Sequence, residues 1–157
     1  MIAFSISALE KAPVNKSGSL PEEFLDLAPE DAFTAASPVE YDLTASLVSG
    51  GVLVSGSVAA AVCADCGRCL QPVLISIGND DLHLFFEIAD GQEILEVDED
   101  IRAELLLDLP MNPLCSPDCR GLCPVCGCDL NEGDCQCDTA AAAGKVSPWS
   151  ALDGLEL

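Results

Sequence analysis

The chain has 157 residues, half of them apolar, with Phe, Trp and Tyr making up only 4%. It is therefore long enough for one ordinary domain with a small appendage, whose core must be built from Val, Leu, Ile and Ala. Its formal net charge is -21, from 27 acidic and six basic residues (Lys11, Lys16, Arg68, Arg102, Arg120 and Lys145). That excludes a cationic face of the size an autonomous nucleic-acid binder needs; the acidity either sets a field that attracts basic partners and repels RNA, DNA and anionic membranes, or serves solubility alone.

Residues 1–8 alternate weakly and read as a first strand, and 9–19, with Pro13, Gly18 and several Ser and Lys, as a loop. The opening MIAFSISALEK has no basic start and only a short, broken apolar stretch, so a secretory leader is not expected. Nor does any run approach the roughly 20 apolar residues that span a bilayer. Pro21 followed by Glu22 and Glu23 predicts a short helix to about Leu27, ended by Pro29. Val39, Tyr41, Leu43, Ala45 and Leu47 then alternate with polar residues, the period of a half-buried strand. Ser49-Gly50-Gly51 is a turn signal, and Val52, Val54, Val58, Ala60 and Val62 share one face of a second strand, giving an antiparallel hairpin.

A third strand begins at Pro72 with Val73, Ile75 and Ile77, breaks at Gly78-Asn79-Asp80-Asp81, and resumes through Leu82, Leu84 and Phe86. The break is either a bulge or a tight turn into a fourth strand. Asp98 is placed to cap a helix carrying Ile101, Leu105, Leu106 and Leu109, stopped by Pro110 and Pro113. The fold class is α+β: an antiparallel sheet of three to five strands, one or two helices and a cysteine-rich C-terminal appendage. The composition shift near residue 112 divides a sheet domain, 1–111, from a cysteine-rich segment and tail, 112–157.

Ten cysteines in a chain read as cytoplasmic point to metal or redox chemistry, not to disulfides. The strongest element is Cys123-Pro124-Val125-Cys126-Gly127, a knuckle that can aim two sulfurs at one cation while Gly127 supplies a left-handed backbone. Tetrahedral zinc needs a second pair, and Cys135 with Cys137 is the nearest candidate. Cys66 and Cys69 form a second C-x-x-C, whose distant partners are Cys115 and Cys119, completing a second zinc. A single-zinc scheme, pairing Cys123 and Cys126 with Cys115 and Cys119, fits the spacing equally well. Cys63 and Cys128 are left over as ordinary thiols.

A thioredoxin-like couple would open a helix after a strand, whereas Cys66 and Cys69 lie between strands. The ferredoxin-like run from Cys63 fails at Val73. Catalytic zinc keeps an open position, commonly with His or carboxylate nearby. The single histidine, His83, reads as a strand residue facing solvent or packed at the sheet surface, and no catalytic motif is present. Arg68 and Arg120, each beside cysteines, read as thiolate partners or as ordinary exposed side chains.

Four blocks carry a resemblance: Cys66-Gly67-Arg68-Cys69-Leu70-Gln71-Pro72; Leu109-Pro110-Met111-Asn112-Pro113-Leu114-Cys115; Arg120 through Asn131 with Cys135 and Cys137; and Ser147-Pro148-Trp149-Ser150-Ala151-Leu152. Together they resemble the YceD family of large ribosomal RNA subunit accumulation proteins over roughly residues 40 to 155, with a weak match in the N-terminal third. Many members carry another residue where this chain has Cys128. Others lack much of the C-terminal cluster, which implies that metal stabilises the fold without being indispensable to the family's role. The resemblance implies a bacterial or organellar factor needed for large-subunit ribosomal RNA to accumulate, with no enzymatic activity. Joined to the charge, it predicts a basic ribosomal or ribosome-assembly protein as partner, with no direct nucleic-acid binding. The competing reading is a zinc-buffering or thiol redox-responsive protein.

Overall fold

The computed structural model describes residues 1–28 and 31–137. Expectations for Pro29 and for the 147–157 tail with Trp149 fall outside the described residues. The strands are β1 (Ala3–Ser5), β2 (Val14–Leu20), β3 (Phe33–Ala35), β4 (Val39–Val48), β5 (Gly51–Asp65), β6 (Pro72–Glu87) and β7 (Ile94–Glu96). Among the described residues two helices, α1 (Ile6–Leu9) and α2 (Asp98–Leu107), complete the regular structure with a 3-10 turn at Glu22–Leu25.

The expected hairpin is the centre of the molecule. β4 pairs antiparallel with β5 from Glu40–Ala59 to Val48–Gly51, and β5 pairs with β6 on its other side. β2 extends the sheet beyond β4, and β3 pairs with the far end of β5, giving five strands. β1 and β7 form a separate two-stranded ribbon. The α+β class with a mostly antiparallel sheet therefore holds.

Alternation decides which face is covered. Leu43 and Ala45 of β4, Val52, Val54, Val58, Ala60 and Val62 of β5, and Ile77 and Leu82 of β6 are all buried in one cluster. Ile2, Phe4, Leu95, Val97, Ile101 and Leu105 close over it from the ribbon and α2. Burying such aliphatic side chains supplies about 1.5–3 kcal/mol each, before ordering costs. The opposite face carries exposed Glu40 and Asp42. No helix among the described residues is long and apolar enough to cross a membrane.

The interruption at 78–81 is a bulge, not a turn. The register passes from Val58–Asn79 to Gly56–Leu82, so Asp80 and Asp81 together face Ser57, and β6 continues as one strand. The extra residue flips the alternation, which is why Ile77 and Leu82 both reach the core. Gly56 sits at this crossing with φ +149, and a Cβ there would lie 2.0 Å from the Asp42 carbonyl oxygen.

Several local expectations are corrected. Residues 14–20, read as loop, are β2. Five successive exposed residues hide it from any alternation test, and the ladder to β4 holds it instead. The stretch 1–8 is a three-residue strand followed by one helical turn. The helix predicted from Pro21 is only a 3-10 turn, ended by Asp26 in the left-handed region. Asp98 does not cap its own helix: Val97 is the N-cap, and the Asp98 carboxylate accepts the Ile2 N–H at 2.6 Å. α2 stops at Leu107, although Leu109 still packs on the core. Arg102 pins α2 to the 3-10 turn by donating to the Phe24 carbonyl at 2.7 Å while stacking over its ring.

Gly56→Ala should destabilise the sheet by about 3 kcal/mol, because backbone and not a pliable side chain blocks the new methyl. Gly133→Ala, with nothing within 4 Å of its Cβ, should stay within about 0.5 kcal/mol of the parent. Denaturant midpoints of the two variants check this, and equal midpoints would refute the account of the crossing.

Candidate metal centres

Cys66 and Cys69 lie on the turn between β5 and β6. The Cys66 N–H donates to the Gln71 carbonyl (2.8 Å) and the Leu70 N–H to the Cys66 carbonyl (2.9 Å). Leu70 takes a left-handed φ of +61, one of two non-glycine residues with positive φ among the described residues. The chain leaving α2 wraps this knuckle. Gly67 donates to the Pro113 carbonyl at 2.8 Å, and its missing Cβ leaves room for Asn112 Oδ1, which would otherwise be 2.2 Å away. Cys115 and Cys119 thereby reach the knuckle: Cys69 Sγ is 3.6 Å from Cys115 Sγ, and Cys66 Sγ is 3.8 Å from Cys119 Sγ. Val73, Leu114 and Leu122 pack around buried Cys66, Cys69 and Cys119.

The second knuckle repeats the device. Gly127 N–H donates to the Cys123 carbonyl (2.8 Å), and Gly127 has φ +73, the place Leu70 fills in the first. Cys123 N–H donates to the Cys128 carbonyl (2.8 Å), and Leu122 bridges Asp129, making a minute antiparallel ribbon. The chain then returns to bring Cys135 Sγ within 3.3 Å of Cys123 Sγ.

Two groups of four result, Cys66, Cys69, Cys115, Cys119 and Cys123, Cys126, Cys135, Cys137. Within each, all sulfurs lie within 4.8 Å of one another. A tetrahedral Zn²⁺ with Zn–S near 2.3 Å spaces its sulfurs about 3.8 Å apart, so both groups have the size and donor chemistry for such a cation. Cys115 and Cys119 join the sheet turn and not the Cys123–Cys126 knuckle, contrary to the single-zinc scheme.

The protonation pattern explains why a cation suits these clusters. The Cys69 N–H, with help from those of Arg68 and Cys115, holds the Cys66 thiol down at about 6 against the ordinary 9.0. For Cys69 the Gln71 N–H favours the thiolate, but burial and the neighbouring Cys115, Cys66 and Cys119 side chains outweigh it and push the thiol up to about 12. Cys115 is raised too, chiefly by Cys119. In the second group the N–H groups of Cys126 and Val125 hold Cys123 at about 6, and the Cys128 N–H lowers Cys126. Cys137 goes up to about 12, chiefly through Cys126. Once the first sulfurs ionise, the others resist, and a divalent cation removes that conflict.

The remaining candidates fall elsewhere. Cys63 sits within β5, and Cys128 lies beside Cys126, which pushes it up to about 12. His83 is an exposed strand residue whose ring meets the Asp81 carbonyl at 3.0 Å. Arg68 donates through its guanidinium to the Cys119 carbonyl (2.8 Å). Arg120 pairs with Asp134. Missed in the sequence were the left-handed Leu70, the close approach of Asn112 to Gly67, and Asn131, whose amide donates to Cys119 Sγ at 3.4 Å. A leucine after the second cysteine of one knuckle, where the other has glycine, was the available signal for Leu70.

The family model described as "Large ribosomal RNA subunit accumulation protein YceD" matches residues 79–156. That stretch contains the whole second group and Cys115 and Cys119 of the first; Cys66 and Cys69 precede it. An uncharacterized protein of Mycobacterium tuberculosis is 35% identical over 106 residues, 59% of this chain and 51% of that protein. One of Mycobacterium leprae is 30% identical over 131 residues, 73% of this chain and 57% of its own length. A maize protein named "Large ribosomal RNA subunit accumulation protein YCED homolog 1, chloroplastic" is 34% identical over 73 residues, 46% of this chain and 24% of its own. The chain thus spans about half the length of the mycobacterial relatives it matches. No solved structure matches it.

Two expectations follow from the geometry. Leu70→Gly should stabilise the chain by about 1 kcal/mol, since the left-handed backbone carries a Cβ penalty and the side chain is 63% exposed; a melting temperature unchanged or lowered would contradict it. Filling both groups at pH 7.5 should release at most about six protons, not eight, because Cys66 and Cys123, lowered to about 6, are already ionised. The sign is that of a depressed thiol: the thiolate prevails above pH 6, so the proton yield rises as the starting pH falls toward 6. Indicator titration in weak buffer measures it.

Proposed function

Because this chain belongs to the YceD family of large ribosomal RNA subunit accumulation proteins, we propose that it is a non-enzymatic ribosome-biogenesis factor carrying two structural zinc ions. It supports large-subunit ribosomal RNA through a basic ribosomal or assembly protein, in the reducing cytoplasm, and does not grip RNA itself. Family membership is the observation that carries the role; the maize relative bears the same description in its name.

The chemistry of the chain supports each part. All eight proposed ligands, Cys66, Cys69, Cys115, Cys119, Cys123, Cys126, Cys135 and Cys137, offer sulfur, and four sulfurs per group would complete a tetrahedral cation and leave no position for substrate. Zinc so bound serves as a cross-link. It fastens the post-α2 chain to the sheet turn, and the 123–137 segment to itself, where few apolar side chains do that work. With four thiolates each zinc site carries two net negative charges, which deepens the field of a chain already at -21. Arg68, Arg102 and Arg120 are committed to internal partners and form no cationic face. That field suits a basic protein and opposes a polyanion.

Native protein should contain two zinc ions per chain by elemental analysis, retained against a strong chelator until unfolding. Cys66→Ser and Cys126→Ser should each remove one, while amide protection in the β4–β5 hairpin persists in Cys126→Ser. Pull-down at low salt should recover basic ribosomal or assembly proteins that are lost at high salt. Tight binding to naked ribosomal RNA at physiological salt would overturn the partner reading, and an unchanged metal content in both variants would overturn the ligand assignment.

A further inference from the structure

Asn131 lies in the loop between Cys126 and Cys135 of the second group, yet one of its amide hydrogens reaches a sulfur of the first. Its Nδ2 donates one hydrogen to Cys119 Sγ (3.4 Å) and the other to Asp129 Oδ1 (2.7 Å), while its Oδ1 accepts the Arg120 N–H (2.8 Å). The full hydrogen-bonding capacity of the amide hydrogens is therefore used, and one of the two points at a buried sulfur that would ligate metal.

The segment between the groups is held from both sides. Cys119 and Cys123 are joined by Arg120-Gly121-Leu122 alone. Leu130 N–H donates to the Gly121 carbonyl (2.9 Å), tying this linker to the second group's loop. From the other side Leu122 N–H donates to the Arg68 carbonyl (3.2 Å), and the Arg68 guanidinium holds the Cys119 carbonyl. Gly121 has φ +73 and lies where a Cβ would be 3.0 Å from the Arg68 carbonyl oxygen, so the knuckle and linker approach as closely as glycine allows.

We infer that the two cysteine groups load metal as one coupled unit, with Asn131 as the positioning residue that transmits order from the second group to Cys119. The inference rests on the zinc reading above. Closing the second group fixes the 126–135 loop and with it the Asn131 amide. An N–H donor aimed at the Cys119 sulfur sets that sulfur's direction, as outer hydrogen bonds do for metal ligands generally. Linkage makes the effect mutual: metal in the first group must favour metal in the second by the same factor.

The test is a Co²⁺ titration of the full chain with a competing chromophoric chelator, reading the sulfur-to-cobalt charge-transfer bands. Cys126→Ser isolates the first site and Cys66→Ser the second. Wild type should bind two Co²⁺ in one cooperative step, and each isolated site should bind at least about tenfold more weakly than its share of that step. Asn131→Asp keeps an acceptor for the Arg120 N–H but removes the donor to sulfur. It should weaken the first site about tenfold, shift that site's charge-transfer band, and leave Co²⁺ at the second site. Combined with Cys126→Ser it should add little, since the loop no longer presents residue 131. Fewer than two Co²⁺ in wild type would overturn the zinc reading itself. Two Co²⁺ with independent sites would overturn the coupling alone, and coupled sites with a normal Asn131→Asp spectrum would overturn the part given to Asn131.

Discussion

Four thiols crowded within 4.8 Å cannot all become thiolates unaided, and this one electrostatic constraint governs the C-terminal part of the molecule. Each group settles it in the same way. Backbone N–H groups of a tight knuckle hold Cys66 and Cys123 near 6 and lower Cys126 as well, while Cys69, Cys115 and Cys137 are driven upward. The geometry is thus prepared for a cation while the charge is not, so binding is coupled to the loss of protons. Few polypeptide segments this short fold without such a cross-link, because they bury too little apolar surface.

The sheet matters to this chemistry as an anchor. β5 and β6 are the longest strands, and the turn they share carries the first knuckle. The buried stripe of β5, from Val52 to Val62, runs toward that turn, beyond which Cys66, Cys69 and Cys119 form a second, separate buried cluster with Val73, Leu114 and Leu122. α2 crosses the same face and delivers Pro113 and Cys115 to the knuckle. A cross-link placed there joins the β5–β6 turn to the chain that leaves the helix. The bulge at Asp80 and Asp81 keeps β6 on the core face along its whole length, despite the polar interruption in its middle.

What could be read in the sequence was whatever expresses itself locally. Period-two alternation located β4 and β5, and every residue named for the β5 core face is buried. The C-x-x-C spacing and Gly127 announced a knuckle with a left-handed residue, and Gly127 has φ +73. β2 was illegible because its side chains carry no pattern: Asn15, Lys16, Ser17, Gly18 and Ser19 are all exposed, and its strand character comes from β4 alone. Asp98 misled for a related reason. An acid before an apolar helix normally serves that helix, but here the amino terminus of the chain competes for the carboxylate at 2.6 Å. The division of eight sulfurs between two groups was left open because spacing allowed Cys115 and Cys119 to turn either way. The hydrogen bond from Gly67 to Pro113 decides it, and it depends on where α2 ends.

Leu70 and Gly127 show how the two knuckles, alike in backbone, differ in setting. Both donate an N–H to the carbonyl four residues back and both occupy the left-handed region. At Gly127 nothing stands within 4 Å of the missing Cβ, so the glycine there answers a torsional need only. At Leu70 the same torsion is tolerated with a side chain because the first knuckle is clasped on all sides: by Gln71, by Pro113 through Gly67, and by Leu122 through Arg68. A structure that over-determines a residue can hold it in a sparsely populated conformation. Among the described residues the second knuckle is held by its small ribbon and by the Leu130 and Asn131 contacts to the linker and Cys119, and glycine supplies its left-handed residue without strain. The sulfur group nearer the core is consequently the one whose backbone is imposed by its surroundings, and the outer group is the one whose backbone is supplied by its sequence.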